Sequence, residues 1–166
     1  MTSSRLEITV PVDTPVIEFR RVVAASPALV FDLWTNPDHL RRWWGPEDYE
    51  LMSIDIDLRV GGTYRYVHRA PNGVEYAFHG AYLELDPPGR LVYTTVHEGE
   101  PDSEAVDSFT FHEADVGTLI NCWSQYPSLA IRDKYVAEGM VRGLTESHER
   151  LDALIARLSE PPEGSS

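Results

Sequence analysis

Hydrophobic positions along the chain change period twice, and those changes divide it into elements. Val16–Ala25 is rich in β-branched residues and predicts a first strand. Ser26-Pro27 then sets an N-cap before a proline at the first helical position. Val30, Phe31 and Trp34 follow at helical spacing, and Asn36-Pro37 repeats the cap for Leu40, Trp43 and Trp44. Two short helices are therefore expected, the second stopped by Gly45-Pro46.

From Tyr49 the period falls to two. Met52, Ile54, Ile56 and Leu58 alternate with Ser53, Asp55 and Asp57, giving a strand with one wet face. Thr63–Ala70 and Val74–Leu85 flank Pro71-Asn72-Gly73 as a hairpin. Tight pairing there would set Tyr66 opposite His79 and His68 opposite Ala77. Strands are also expected at Leu91–His97, Val106–Glu113 and Thr118–Tyr126. After Pro127 the helical period returns, with an initial segment at Ser128–Ala137. A long stripe of Met140, Leu144, His148, Leu151, Leu154, Ile155 and Leu158 follows.

A strand, two short helices, six strands joined by tight turns and a long amphipathic helix predict an α+β fold. Its curved antiparallel sheet of about seven strands would grip the C-terminal helix, and the short helices would plug one end. The expected organisation is a tail or a loosely docked strand over residues 1–15, one domain over 16–158 and a disordered end over 159–166. Such a cup can enclose a cavity, and the usual ligand-pocket range is about 300–1,000 Å³.

Alternation assigns the strand faces. Tyr64 and Tyr66 turn inward and Arg65 and Arg69 outward. Leu91, Tyr93, Thr95 and His97 share a face, and Phe109 and Phe111 point inward. A bulge expected near Gly80 leaves Phe78 and Tyr82 unassigned.

Composition narrows the partners. The chain of 166 residues has a formal net charge of −13, which repels phosphate backbones and argues against nucleic acid despite Arg41-Arg42 beside Trp43-Trp44. No apolar run reaches membrane-spanning length and the N-terminus lacks a signal pattern, so no membrane insertion and a cytoplasmic location are expected. One cysteine, Cys122, excludes an internal disulfide.

The six histidines show no metal-ligand spacing, and no nucleophile, phosphate-loop or dinucleotide motif occurs; no metal or cofactor is expected. Trp43 and Trp44 read first as packing, with Trp43 inside and Trp44 at the rim. His148 lies on the apolar stripe of the last helix. It reads as a core histidine bonded to a tyrosine or backbone group, or as a ligand contact and candidate general acid or base. Asp57 and Arg59 face the same way beside a glycine turn, as a surface ion pair.

Four segments in order resemble the family of homologues of the activator of heat-shock-protein-90 ATPase, within the START-related, birch-pollen-allergen-like (SRPBCC) helix-grip superfamily. They are FRRVVAASPALVFDLWTNPDHLRRWWGP (Phe19–Pro46), DLRVGGTYRY (Asp57–Tyr66), FHGAYLELDPPGRLVYT (Phe78–Thr94) and YPSLAIRDKYVAEGMVRGLTESHERLDAL (Tyr126–Leu154). The resemblance implies one domain with an internal apolar pocket. Two departures stand out: Thr95 where relatives carry a bulky aromatic, and Ile120, Cys122 and Ser124 in place of larger aliphatics. If inward, they imply a roomier and more polar cup.

The first functional expectation is a binder or carrier of a small hydrophobic molecule. Its lining would come from Trp43, Tyr64, Tyr66, Thr95, His97 and Phe109, with Phe111, Cys122, Ser124, Met140, Leu144 and His148. The alternative from this superfamily is a polyketide cyclase- or hydratase-like enzyme using His or Tyr acid–base chemistry. A third is a chaperone-partner module. The name-giving activator carries a separate N-terminal chaperone-gripping domain for which this chain has no room, so that reading ranks last.

Overall fold

A computed structural model describes residues 4–159. In chain order the elements are β1 (Glu7–Thr9), β2 (Val16–Val23), α1 (Pro27–Thr35), α2 (Pro37–Trp43), β3 (Glu50–Ile56), β4 (Thr63–Arg69), β5 (Glu75–Asp86), β6 (Arg90–His97), β7 (Ala105–Ala114), β8 (Gly117–Gln125), α3 (Leu129–Ala137) and α4 (Met140–Leu158). All eight strands form one antiparallel sheet in the order β1-β2-β8-β7-β6-β5-β4-β3. The eighth strand comes from the segment expected to be a tail or a loosely docked strand: Glu7–Thr9 pairs along β2. Residues 1–3 and 160–166 of the two expected tails lie outside the described residues.

The topology follows from where the chain must cross. Strands β3 to β8 run as a meander, each pairing antiparallel with the next. β2 pairs with β8 at the far side, so the chain has to traverse the whole sheet between β2 and β3. α1 and α2 make that crossing. Ser26 caps α1 by accepting from the Leu29 amide, and Asn36 caps α2 by accepting from the Asp38 amide. Val30, Phe31, Leu33 and Trp34 of α1 and Leu40 and Trp43 of α2 are buried. α4 covers the same concave face through His148, Leu151, Leu154 and Ile155, while Leu158, placed on the stripe by its spacing, is exposed at the helix end.

Three local expectations are corrected. Pro71-Asn72-Gly73 forms a three-residue loop, bracketed by the Ala70 amide donating to the Val74 carbonyl, with Gly73 at φ +87°. That loop slips the hairpin by one residue: Tyr66 pairs with Phe78 and His68 with Tyr76. On β3 a register shift between Leu51 and Ser53 turns Met52 outward, so it leaves the face it was expected to share with Ile54. The bulge of β5 falls between Tyr82 and Glu84 rather than at Gly80.

Gly80 has a different task. A Cβ there would lie 1.8 Å from the Thr94 carbonyl oxygen and 2.7 Å from the Tyr64 ring. Glycine lets Tyr64 lie flat across β5 and reach β6.

Candidate functional site

The concave face of the sheet carries an aromatic hollow. Its wall is Trp34 and Leu40 from the short helices, Trp44, Ile54 and Ile56 of β3, and Tyr64, Tyr66, Tyr82, Tyr93 and Thr95 from β4 to β6. Its volume is about 40 Å³. That holds about three waters, whereas a cavity that admits benzene is about 150 Å³. The expected cavity of several hundred Å³ is therefore not present. The rings fill the cup: Tyr64 stacks on Tyr66 at 6.1 Å, Tyr66 on Phe78 at 5.2 Å, and Tyr93 on Phe109 at 5.6 Å.

A hydrogen-bonded chain of side chains edges this hollow. The Tyr64 hydroxyl donates to the Thr94 carbonyl at 2.6 Å and lies 3.0 Å from Thr95 Oγ1. Thr95 Oγ1 donates to one oxygen of Asp107 and Ser124 Oγ to the other, both at 2.5 Å. Cys122 Sγ lies 3.8 Å from Ser124 Oγ. Sheet pairing makes the chain possible, because Thr95, Asp107 and Ser124 sit on adjacent strands with inward-facing side chains.

Burial raises the Asp107 pKa, while the Ser124 and Thr95 hydroxyls oppose the rise. Asp107 and Tyr93 nevertheless keep part of their surface accessible. Asp107 stands behind Thr95, which lines the hollow. Burial also raises the phenols of Tyr64, Tyr66 and Tyr93 well above their ordinary value, and Tyr82 to about 12.

Protons in this chain are largely committed. Tyr64 gives its proton to the Thr94 carbonyl and Thr95 gives its own to Asp107. The Thr95 oxygen keeps a lone pair, which it shares with the Tyr64 hydroxyl 3.0 Å away. Among the described residues the buried polar atom of the wall that has no partner is a donor, Trp34 Nε1.

Trp44 stands at the mouth, half-buried, edge-on to Trp43 at 5.2 Å and to Tyr66 at 6.3 Å. Its backbone is fixed, and its indole N–H partners the Tyr66 hydroxyl. His68 Nε2 lies 3.3 Å from the Trp44 carbonyl, and Ser147 and Arg150 of α4 both donate to the Gly45 carbonyl at 3.0 Å. Gly45, at φ +98°, packs where a Cβ would meet the His68 ring at 2.5 Å.

The residues expected to line one pocket are distributed over four places. Tyr64, Tyr66 and Thr95 are on the wall of the hollow, and Ser124 is one hydrogen bond behind Asp107. Trp43, Phe109, Phe111, Cys122 and Leu144 belong to or pack against the main core beneath it, with the Trp43 indole donating to the Leu33 carbonyl at 2.9 Å. Met140 packs in a separate cluster with Ile17, Ala105 and Tyr126, whose hydroxyl donates to its sulfur at 3.1 Å. His97 stacks on Phe78 at 4.9 Å at the end of β6, away from the hollow.

His148 is enclosed by Phe19, Trp34 and Trp43. Its partner is neither a tyrosine nor the backbone but Arg21, whose Nη1 donates to Nδ1 at 3.1 Å. A guanidinium can only donate, so Nδ1 is the acceptor and Nε2 carries the proton. Burial, then the Arg21 charge, lowers the pKa to about 3. His148 is thus a neutral imidazole with no free basic nitrogen, which removes it as the acid–base group.

Asp107 is the site residue that the sequence reading missed. Its signal was present: it is two positions before Phe109, so the alternation that turns Phe109 inward turns Asp107 inward too. Among the described residues no cluster of three or more His, Cys, Asp or Glu is placed to hold a metal ion, and no helix is long and apolar enough to cross a membrane.

A curved sheet gripping a C-terminal helix, with a small aromatic hollow on its concave face, defines a helix-grip domain. The family model for Activator of Hsp90 ATPase homolog 1-like protein matches residues 24–156, and the chain belongs to that family. A solved protein from Rhodobacter sphaeroides is 24% identical with a TM-score of 0.85, covering 92% of this chain and 99% of its own. One from Chromobacterium violaceum is 28% identical at a TM-score of 0.72, covering 84% and 96%. A family protein from Silicibacter pomeroyi is 20% identical at a TM-score of 0.70, covering 85% and 97%. No curated protein matches the sequence. The fold is one that supports ligand-binding or interaction modules in general.

Proposed function

We propose that this protein binds a small, largely apolar molecule carrying one hydroxyl or amine, admitted to the aromatic cup when the Trp44 ring swings out. The observation that carries this reading is Asp107, a carboxyl enclosed by protein and held by two hydroxyls beside an otherwise aromatic hollow. Burying a carboxyl costs several kcal/mol unless it is fully bonded, and leucine would pack there without that cost. Asp107 fixes the Thr95 proton, so the Thr95 oxygen is an acceptor shared between the Tyr64 hydroxyl and the guest, while the unpaired Trp34 Nε1 donates to the guest oxygen. The aromatic rings supply the apolar contact, and the small volume requires ring displacement before entry.

The test compares 2-naphthol with naphthalene by quenching of intrinsic tryptophan fluorescence. Wild type binds 2-naphthol more tightly than naphthalene. Trp44→Ala speeds entry of both, and Thr95→Val removes the preference. If neither wild type nor Trp44→Ala takes up either compound, the proposal fails.

A further inference from the structure

The convex side of the sheet carries a second concavity, larger than the hollow inside the cup. It measures about 620 Å³ and lies over β1, β2, β8, β7 and β6. That volume falls in the usual range for small-molecule sites, roughly 300–1,000 Å³.

Strand pairing builds its floor from two neighbouring rows of outward-facing side chains. Arg20, Asn121, Thr110 and Arg90 align in one row across four strands. Glu18, Trp123 and Ser108 align in the next. Trp123 is 47% exposed, so its ring lies on the groove as a platform. A lone exposed tryptophan signifies little. What distinguishes this one is the polar lattice around it. Among the described residues the side chains of Arg20, Glu18, Asn121, Ser108 and Thr110 make no hydrogen bond to other protein groups, whereas Arg90 is held by Glu84 at 2.9–3.0 Å.

Charge selects the occupant. Arg90 is neutralised by Glu84, and Arg20 faces Glu7 and Glu18, so the groove carries a single net negative charge on a chain of net charge −13. A phosphate or polyanion would need excess positive charge, and a cationic peptide more than one unpaired carboxylate. A wholly apolar guest would strip water from five unpaired polar side chains without replacing their bonds. The remaining chemistry is a neutral molecule with hydroxyls around its edge and one apolar C–H face, which stacks on an indole while donating to and accepting from side chains. The geometry points to a neutral oligosaccharide site on the outer sheet face, centred on Trp123 with Asn121 and Arg20 as its polar contacts. It is separate from the cup.

Saturation-transfer NMR on the full chain with maltotriose, cellotriose and mannotriose, each at millimolar concentration, tests this. At least one binds saturably, and Trp123→Ala and Asn121→Ala each weaken it by about tenfold or more, one lost bidentate or stacking contact. Thermal unfolding shows that both variants remain folded, Trp123 being about half exposed and Asn121 half-buried. Trp44→Ala leaves saccharide binding unchanged, so failure here and failure of the cup reading are distinguished. Absence of saturable binding by all three sugars, or binding that survives both substitutions, overturns the assignment.

Discussion

Arg21 Nη1 sits 3.1 Å from His148 Nδ1, inside the core and 127 positions apart in sequence. The same guanidinium reaches Asp152 at 2.6 Å and the Ser4 carbonyl at 3.0 Å. It therefore ties β2 to α4 and to the N-terminal segment, and it holds the imidazole neutral.

That neutrality predicts acid sensitivity. His148 is pulled down to about 3 and His68, buried against the Trp44 carbonyl, to about 4. Both lie below the unfolded value of about 6.5. Below that value the unfolded chain takes up protons that the folded chain refuses, so stability is full above pH 6.5 and is lost as pH falls. Each imidazole accounts for a loss of about 2 kcal/mol between pH 7 and pH 5. Urea unfolding at the two pH values measures it. A flat profile would show that these rings are not buried as neutral groups.

Arg21→Met removes the donor from His148 and the charge that lowers its pKa. The folded protein loses about 1–3 kcal/mol, the cost of an unpaired buried acceptor. The His148 titration, followed by NMR of its ring protons, moves upward. An unchanged titration would contradict the role given to Arg21.

Gly80→Ala places a methyl against the Thr94 carbonyl and the Tyr64 ring. Overpacking of this kind costs about 1–3 kcal/mol, and it displaces Tyr64 from Thr94. Tyr64→Phe, which loses the hydrogen bond alone, costs about 1 kcal/mol. Equal stability of Gly80→Ala and wild type would mean that the tyrosine does not cross the strand here.

Cys122 is sealed, and burial pushes its thiol well above the ordinary value. A protonated, enclosed thiol is unreactive. Labelling by a disulfide reagent at neutral pH follows the rate of opening of the protein, and urea accelerates it. Immediate labelling of the folded protein would show that the cup is open to solvent at β8.

How much of this was written in the sequence depends on the kind of contact. Period-two and period-3.6 patterns placed the meander, both short helices and α4, because one face of each is buried. Thr95 and Ser124 stood out as hydroxyls where larger apolar groups were expected, yet the carboxyl they hold was overlooked beside Phe109. The hairpin register was set by Ala70 and Val74 closing a three-residue loop, which the dipeptide Asn72-Gly73 alone does not reveal. Cavity volume was not legible at all. It depends on ring orientations of Trp34, Trp44, Tyr66, Tyr82 and Tyr93, contributed by five separate segments, and those rings close the space that strand alternation alone leaves open. His148 was correctly turned inward by its spacing, but its partner lies on β2, beyond the reach of any local pattern.

The central claim is that the aromatic cup, not another surface, receives an apolar guest with a hydrogen-bond donor. Two-dimensional NMR of labelled protein titrated with 2-naphthol tests it most directly. The account predicts saturable shifts of the Trp44 indole N–H and of the Thr95, Ile54 and Ile56 methyls, with Met140 and Trp123 unmoved. Shifts confined to residues outside the cup, or none up to the solubility limit of the probe, would contradict it.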